Sequence, residues 1–359
     1  MAWILSTNQI TRLQFEITNY CNAGCPQCAR ANYLSKGFLE QKSVYPKSIN
    51  SHHFDIEKYK QILENDSWDS LNNIHFCGNY DEPTIHPQFL EMIEYTYEWL
   101  KKNSLKNIEI GVSTNGGTRN REFWKKMGEL SQKYSQIGNA LLVIWGIDGL
   151  EDTNHLYRIG VHWEKLMENV DEYHKYHGYS CWQWIRFEHN AHQFEWAKQN
   201  YKKMGFDSFK VVGTNRPTVD IAVTSQHNKR QQRHTQSQVI NTPVPVSSEL
   251  TAQCNDIQCK ALDPMSSLRR SLYVDAFGHV FPCCWMGTDY SKKQAEQSFL
   301  GDLTPQSHNI YHYNSMTECL HSTYFDQLIA TWPDQSYAVC AKYCKTKGDP
   351  YTVDRQLYE

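Results

Sequence analysis

An α/β architecture built on a parallel sheet is the fold class that this 359-residue sequence predicts. Two observations carry it. Up to about residue 215, short apolar, β-branched or aromatic runs alternate with longer stretches of helical period, the pattern of repeated β-then-α units whose crossovers keep strands parallel. Polar motifs directly follow the strand candidates, at the ends where such sheets bind ligands. Pattern alone fits a doubly wound sheet as well as a partial barrel. The length allows two domains, and a hydrophobic fraction of 40% allows a sizeable core.

Six strand candidates follow in order: Arg12 to Thr18, Asn73 to Cys77, Asn107 to Ser113, Leu141 to Ile147, Gln183 to Glu188 and Ser208 to Val212. Among the helices between them, Gln88 to Lys102 sets Phe89, Met92, Ile93, Tyr97 and Leu100 on one face at three- and four-residue steps. Residues 29–53 form a long polar connection, read as a loop at the mouth of the site and a candidate substrate lid. These units make a first domain over residues 1–215. Residues 216–253, with Lys229, Arg230 and Arg233 in a polar run and Pro243 and Pro245 beyond it, read as a linker or mobile insertion. Its charges suit a solvated face or phosphate contacts. A second domain is expected over 254–348, where Leu272 to Cys283 reads strand, turn, strand with Phe277-Gly278 turning. Residues 349–359 are read as a tail.

Composition narrows the function classes. A net charge of −3 argues against a general nucleic-acid coat, because phosphate neutralisation needs a basic surplus. No apolar run reaches membrane-spanning length, and Met1 to Ser6 lacks the order of a signal peptide. A cytoplasmic protein is therefore expected, and its twelve cysteines are better explained as thiolates on metal than as disulfides.

The stretch that carries chemistry is Cys21-Asn22-Ala23-Gly24-Cys25-Pro26-Gln27-Cys28, three thiols on a turn directly after the first strand. Three protein ligands leave a coordination position open for a small molecule. By spacing alone a zinc knuckle remains an alternative. At these residues the sequence resembles the radical S-adenosylmethionine (radical SAM) enzymes, whose CxxxCxxC loop holds a [4Fe-4S] cluster. One departure is Gln27, where the family usually has an aromatic or large apolar residue. The resemblance implies a partial (β/α)6 TIM-like barrel, SAM chelated at the open iron, and reductive cleavage to a 5′-deoxyadenosyl radical that abstracts hydrogen from substrate.

Further segments extend it. Gly78-Asn79-Tyr80-Asp81-Glu82-Pro83 looks like the family's Gly-Gly-Glu-Pro motif, in which the acid receives the SAM ammonium. Glu82 matches that acid, Asp81 replaces a glycine and Asn79 looks inserted. Ser113-Thr114-Asn115 resembles the segment beside the SAM ribose and carboxylate. Gly146 stands where relatives offer a serine, and Arg158 matches a recurrent arginine suited to the SAM carboxylate. Asn190 stands near an asparagine that relatives carry at a strand end. The implied cofactor set is thus Gln27, Tyr80, Asp81, Glu82, Ser113, Thr114, Asn115, Arg158 and Asn190, with Cys21, Cys25 and Cys28 on iron. His189 and His192 read as local hydrogen-bond partners.

A second cysteine set lies downstream, with Cys259, then Cys283 at the hairpin, then Cys340 and Cys344. Four thiolates close a site and suit electron transfer or structure, with iron–sulfur cluster and zinc both served. The arrangement resembles the twitch domain, the short form of the SPASM extension, which holds an auxiliary [4Fe-4S] cluster; Cys254 competes with Cys259 and Cys284 with Cys283. Of the five cysteines left over, Cys181 and Cys319 read as buried apolar side chains, and Cys77 as a buried thiol or a hydrogen donor.

The function expected is hydrogen abstraction by a radical SAM enzyme, with a flavodoxin- or ferredoxin-type reductant and a net oxidation or cross-link. Because the cysteine loop begins at residue 21, a small polar molecule or carrier-borne group is favoured over a peptide. The alternatives are maturation of a ribosomally made peptide, and a non-catalytic iron–sulfur protein that regulates or binds RNA through the basic linker.

Overall fold

The computed structural model describes residues 6–26, 28, 52–213, 259, 261, 270–288, 308–331 and 355–358. Within the first 213, β-strand and α-helix alternate: β1 (Arg12–Phe15), α1 (Ile56–Glu64), β2 (Asn73–Phe76), α2 (Phe89–Lys102), β3 (Glu109–Thr114), α3 (Arg121–Gln136) and β4 (Ala140–Gly146). Then come α4 (Asn154–Tyr157), α5 (Trp163–Lys175), β5 (Tyr179–Ile185), α6 (Phe194–Asn200) and β6 (Ser208–Val212). The C-terminal part adds β7 (Ser271–Val274), β8 (Val280–Phe281), α7 (Met316–Leu320), α8 (Thr323–Thr331) and β9 (Arg355–Tyr358).

Among the described residues the strands form one sheet in the order β8-β7-β1-β2-β3-β4-β5-β6-β9. From β7 to β6 every pairing is parallel, and β8 and β9 are antiparallel edges. The sheet stays open, so the chain forms the expected partial barrel rather than a closed one. Two features were not foreseen. The first strand of the expected hairpin pairs with β1 itself, Arg12 opposite Ser271 and Phe15 opposite Val274. Residues read as a tail supply β9, with Val212 opposite Arg355.

Side chains alternate across each strand, and one parity is apolar except for Thr114 on β3 and Ser180 on β5. Phe15 meets Tyr59 of α1 with ring centroids 5.2 Å apart, Phe76 meets Phe89 of α2 at 5.3 Å, and Trp145 meets Trp124 of α3 at 4.6 Å. Trp124, Trp145, Trp182 and Trp184 are fully buried, so this helix-facing layer is the core. The helices begin where the sequence supplies caps: Asp55 accepts from Glu57 N at 2.9 Å, and Asn120 from Phe123 N at 3.0 Å. In α2, Thr96 and Trp99 join Phe89, Met92, Ile93 and Leu100 as the buried residues, while Tyr97 is half-buried.

The opposite parity points away from the helices. It carries Arg12 and Gln14 on β1, His75 on β2, Ser113 on β3, Gln183 on β5 and Lys210 on β6. Arg12 bonds His75, and His75 Nε2 lies 2.9 Å from Ser113 Oγ. The inner face is therefore mixed, these polar groups sitting beside Leu142 and Ile144 on β4, Cys181 and Ile185 on β5 and Val212 on β6, while the outer one is packed with aromatic rings.

β1 ends at Phe15 rather than Thr18, β3 starts at Glu109 rather than Asn107, and β5 departs furthest from expectation. β5 starts at Tyr179 and ends at Ile185, where Gln183 to Glu188 was predicted. Pairing with β4 sets its register from Leu142 opposite Tyr179, and Asp148 Oδ1 captures Ile185 N at 2.6 Å. The chain then turns into the short 3-10 segment Glu188–Gln193. The hairpin turn is where expected: Gly278 has φ +90°, a conformation that favours glycine, and its N–H donates to Asp275 O at 3.0 Å. Cys181 and Cys319 are buried, as apolar side chains would be, Cys181 on the inner face of the sheet and Cys319 in the core.

Candidate active site

All the described motif residues gather at the C-terminal ends of β1 to β5. The cysteine turn leaves β1 through Glu16 to Asn19 and is fixed by two backbone bonds, Gly24 N to Ile159 O at 2.8 Å and Cys28 N to Cys25 O at 3.1 Å. Its sulfurs meet donors and acceptors from three other loops. Asn115 Nδ2 lies 3.6 Å from Cys21 Sγ, Arg158 Nη1 lies 3.8 Å from Cys25 Sγ, and Cys28 Sγ lies 3.8 Å from Asn79 O. Burial pushes the Cys25 thiol up, and the Arg158 guanidinium pulls it back down. Polar donors aimed at two sulfurs are what thiolate ligands of a cluster require, so the residues present fit an iron–sulfur centre. Among the described residues no three His, Cys, Asp or Glu side chains surround the position of a single ion. An iron–sulfur cluster instead takes each thiolate on a different iron.

Glu82 is 2% exposed and stitches β2 to β3. Its Oε1 accepts from Thr84 Oγ1 and Thr114 Oγ1, both at 2.7 Å, and its Oε2 accepts from Asn115 N at 2.7 Å. Burial raises its pKa, against those donors. Asn115 in turn donates to Asn22 Oδ1 at 2.8 Å, joining the β3 loop to the cysteine turn. The carboxylate thus sits within the loops that also hold Cys21, with acceptor capacity on Oε2 that one amide does not exhaust.

Arg158 is held by Asp148, its Nε 2.8 Å from Asp148 Oδ2, and Asp148 is fully buried. Burial works against the arginine charge, but Asp148 and then Cys25 outweigh it and hold the pKa above its ordinary value. Gly146 makes room for this pair: a Cβ there would stand 2.6 Å from Arg158 Nη2. A side chain at this position would push the guanidinium from its place beside Asp148. Asn190 is fully buried, with Nδ2 donating to Asp148 O at 3.0 Å and Ile185 O at 2.9 Å, and Oδ1 accepting from Phe187 N at 2.9 Å. It braces the ends of β4 and β5. His189 is buried and stacks on Phe187.

Asn79 and Tyr80 turn towards the C-terminal part. Tyr80 Oη reaches Thr288 O at 3.4 Å, and Asn79 Nδ2 donates to Tyr273 Oη at 3.1 Å and Cys284 O at 2.8 Å. Asp81 Oδ1 accepts from Gly78 N at 2.7 Å. The residue that sequence reasoning missed here is Glu16, 3% exposed, whose Oε2 accepts from Asn79 N at 3.0 Å and from the Tyr273 hydroxyl. A Cβ on Gly78 would strike its side chain at 2.2 Å. Its signal in the sequence is an acid interrupting the apolar run Phe15-Glu16-Ile17. Cys77 lies at the same strand end, and desolvation lifts its thiol to about 12. Gln27, Cys254, Cys340, Cys344 and the lid segment 29–51 lie outside the described residues. Cys259 is buried, and Cys283 and Cys284 are half-buried.

Burial raises Glu16 to about 7, against the opposing bonds from Tyr273 and Asn79. Burial and then Glu16 itself push Asp81 well up. Unfolded, Glu16 releases its proton near 4.5, while the folded chain holds it to about 7, so the folded state binds more protons in between. The contribution of Glu16 to stability therefore falls as pH rises from about 4.5 to about 7 and is level above. Glu16→Gln should remove this loss, roughly 3 kcal/mol in full. Its urea midpoint is expected to exceed the wild-type value at pH 8 and to converge with it near pH 4.5. Equal midpoints at pH 8 would show that Glu16 ionises freely.

Residues 15–183 match the radical SAM superfamily. This part of the chain is a radical SAM domain. The family is catalytic and implies a [4Fe-4S] cluster and SAM. The tungsten-containing aldehyde ferredoxin oxidoreductase cofactor-modifying protein of Pyrococcus furiosus is 29% identical over 118 residues, covering 33% of this chain and 27% of that protein. The match thus spans about a quarter of that relative. Native anSMEcpe with bound AdoMet and Cp18Cys peptide aligns with a TM-score of 0.53 at 14% identity, over 94% of this chain and 91% of that one. Streptococcus suis SuiB bound to S-adenosylmethionine aligns with a TM-score of 0.52 at 12% identity, over 90% and 66%. At these identities the likeness is one of fold. Among the described residues, no helix is long and apolar enough to cross a membrane.

Proposed function

We propose that this chain is a radical SAM enzyme that removes hydrogen from a small polar or carrier-borne substrate in a net oxidation or cross-link. Cys21, Cys25 and Cys28 would hold a [4Fe-4S] cluster, which would supply the electron for reductive cleavage of SAM. The observation that carries the reading is the convergence on one pocket of the cysteine turn, Glu82 and the Asp148–Arg158 pair. Glu82 offers its charge to the SAM ammonium, with Thr84, Thr114 and Asn115 N holding the carboxylate in place. Arg158 keeps Nη2, over Gly146, for the SAM carboxylate. Asn190 positions Asp148, and Gln27, Tyr80, Asp81 and Ser113 complete the surroundings. The polar groups on the inner face, among them Arg12, Gln14, Gln183 and Lys210, support a polar substrate. The peptide held by the anSMEcpe structure keeps peptide maturation as the second reading.

Cys259, Cys283, Cys340 and Cys344 would hold a second [4Fe-4S] cluster, which would supply an electron acceptor for a net oxidation, and a flavodoxin- or ferredoxin-type protein would be the reductant. Formation of 5′-deoxyadenosine from SAM and dithionite by the anaerobically reconstituted protein tests the enzyme reading; no product would leave a non-catalytic iron–sulfur protein. Replacing Cys340 and Cys344 together should leave SAM cleavage intact and nearly eliminate oxidised product. A soluble double variant with full product yield would refute the electron-accepting role.

A further inference from the structure

The guanidinium of Arg158 is held at two of its nitrogens, one by Asp148 and one against the Cys25 sulfur. Nε is 2.8 Å from Asp148 Oδ2, and Nη1 is 3.8 Å from Cys25 Sγ. The arginine backbone is tied to Asn154, whose own Oδ1 accepts Asp148 N at 2.9 Å. Asp148 Oδ1 is held by Ile185 N at 2.6 Å, so the acid cannot swing away. The Tyr157 ring lies under the guanidinium at 5.5 Å, and Gly146 supplies the space that any larger residue would fill. This assembly ties the ends of β4 and β5 and the segment after β4 to a single sulfur.

We propose that Arg158 sets the reduction potential of the centre held by Cys21, Cys25 and Cys28, with Asp148 positioning it. The inference rests on the proposed reading that these thiols hold an iron–sulfur cluster. Reduction adds one negative charge to such a centre, and a permanent, partly desolvated cation at a ligand sulfur stabilises the reduced form over the oxidised one. Hydrogen bonds to ligand sulfurs act in the same direction. Arginine suits the task because it stays charged at every working pH and presents separate N–H edges to Asp148 and to Cys25.

The test is an electron paramagnetic resonance redox titration of the reconstituted full chain without SAM, with iron content measured alongside. Arg158→Gln removes the charge. Its signal from this cluster should appear at a midpoint more negative by about 59 mV or more, a tenfold fall in the reduced-to-oxidised ratio at fixed potential. Arg158→Lys keeps a charge that Asp148 holds, without the second N–H edge for Cys25. Its midpoint should fall between the other two. A cluster-containing variant of either kind with the wild-type midpoint overturns the proposal. Loss of the cluster from both variants also overturns it and makes the contact one of assembly. A wild-type chain that takes up no iron would instead overturn the cluster reading itself.

Discussion

Replacing Cys21, Cys25 and Cys28 together by alanine is expected to abolish SAM cleavage and to remove about four of about eight irons per chain. The two readouts separate the cysteine sets, because the second set lies on a different part of the chain and should retain its metal. Folding of the barrel should survive, since the turn is anchored by backbone bonds at Gly24 and Cys28 and the core lies on the helix side of the sheet. Iron and sulfide analysis with a 5′-deoxyadenosine assay decides it. Retention of all iron would show that the three thiols are not ligands, and retention of SAM cleavage would move the chemistry elsewhere.

Glu82→Gln is expected to weaken SAM binding more than tenfold while iron content stays unchanged. Losing one partner of a buried charge pair costs roughly 2 to 5 kcal/mol, and tenfold in affinity is about 1.4 kcal/mol. Glutamine keeps one acceptor oxygen for the Thr84 and Thr114 hydroxyls but turns an NH2 donor towards Asn115 N, so the loss reads charge rather than local collapse where the variant keeps the wild-type thermal midpoint. Glu82→Ala should weaken binding further and also lower stability, because Asn115 N and both hydroxyls lose their shared acceptor. Equilibrium binding of SAM to the reconstituted protein measures both. Unaltered affinity in the glutamine variant would send the ammonium to another acid, with Asp81 the nearest in sequence.

Legibility in the sequence followed range. The cysteine turn, the acid at Glu82, the six alternating units and the glycine turn at 278 each declare themselves within a few residues, through ligand spacing, apolar period or backbone demand. Glu16 did not, because its partners are Asn79 and Tyr273, 63 and 257 residues away. Asp148 stood in plain view beside Gly149, yet nothing local says that it grips Arg158 ten residues later. The start of β5 was missed for a related reason, since its register is set by β4 and by Asp148 rather than by its own residues. Likewise, β7 reads as half of an ordinary hairpin, and its parallel partner is β1.

That last pairing bears on how the chain is made. Thr11 and Arg270, which share two hydrogen bonds beside the β1–β7 seam, lie 259 residues apart. At about 5 to 20 residues per second, β1 must wait roughly 13 to 50 s during synthesis before β7 can cover its open side. Until then the strand that leads into the cysteine turn is an uncovered edge, able to pair with another nascent chain. Cluster insertion into that turn before the seam closes would occur on an unfinished scaffold, with Tyr273 not yet available to Glu16.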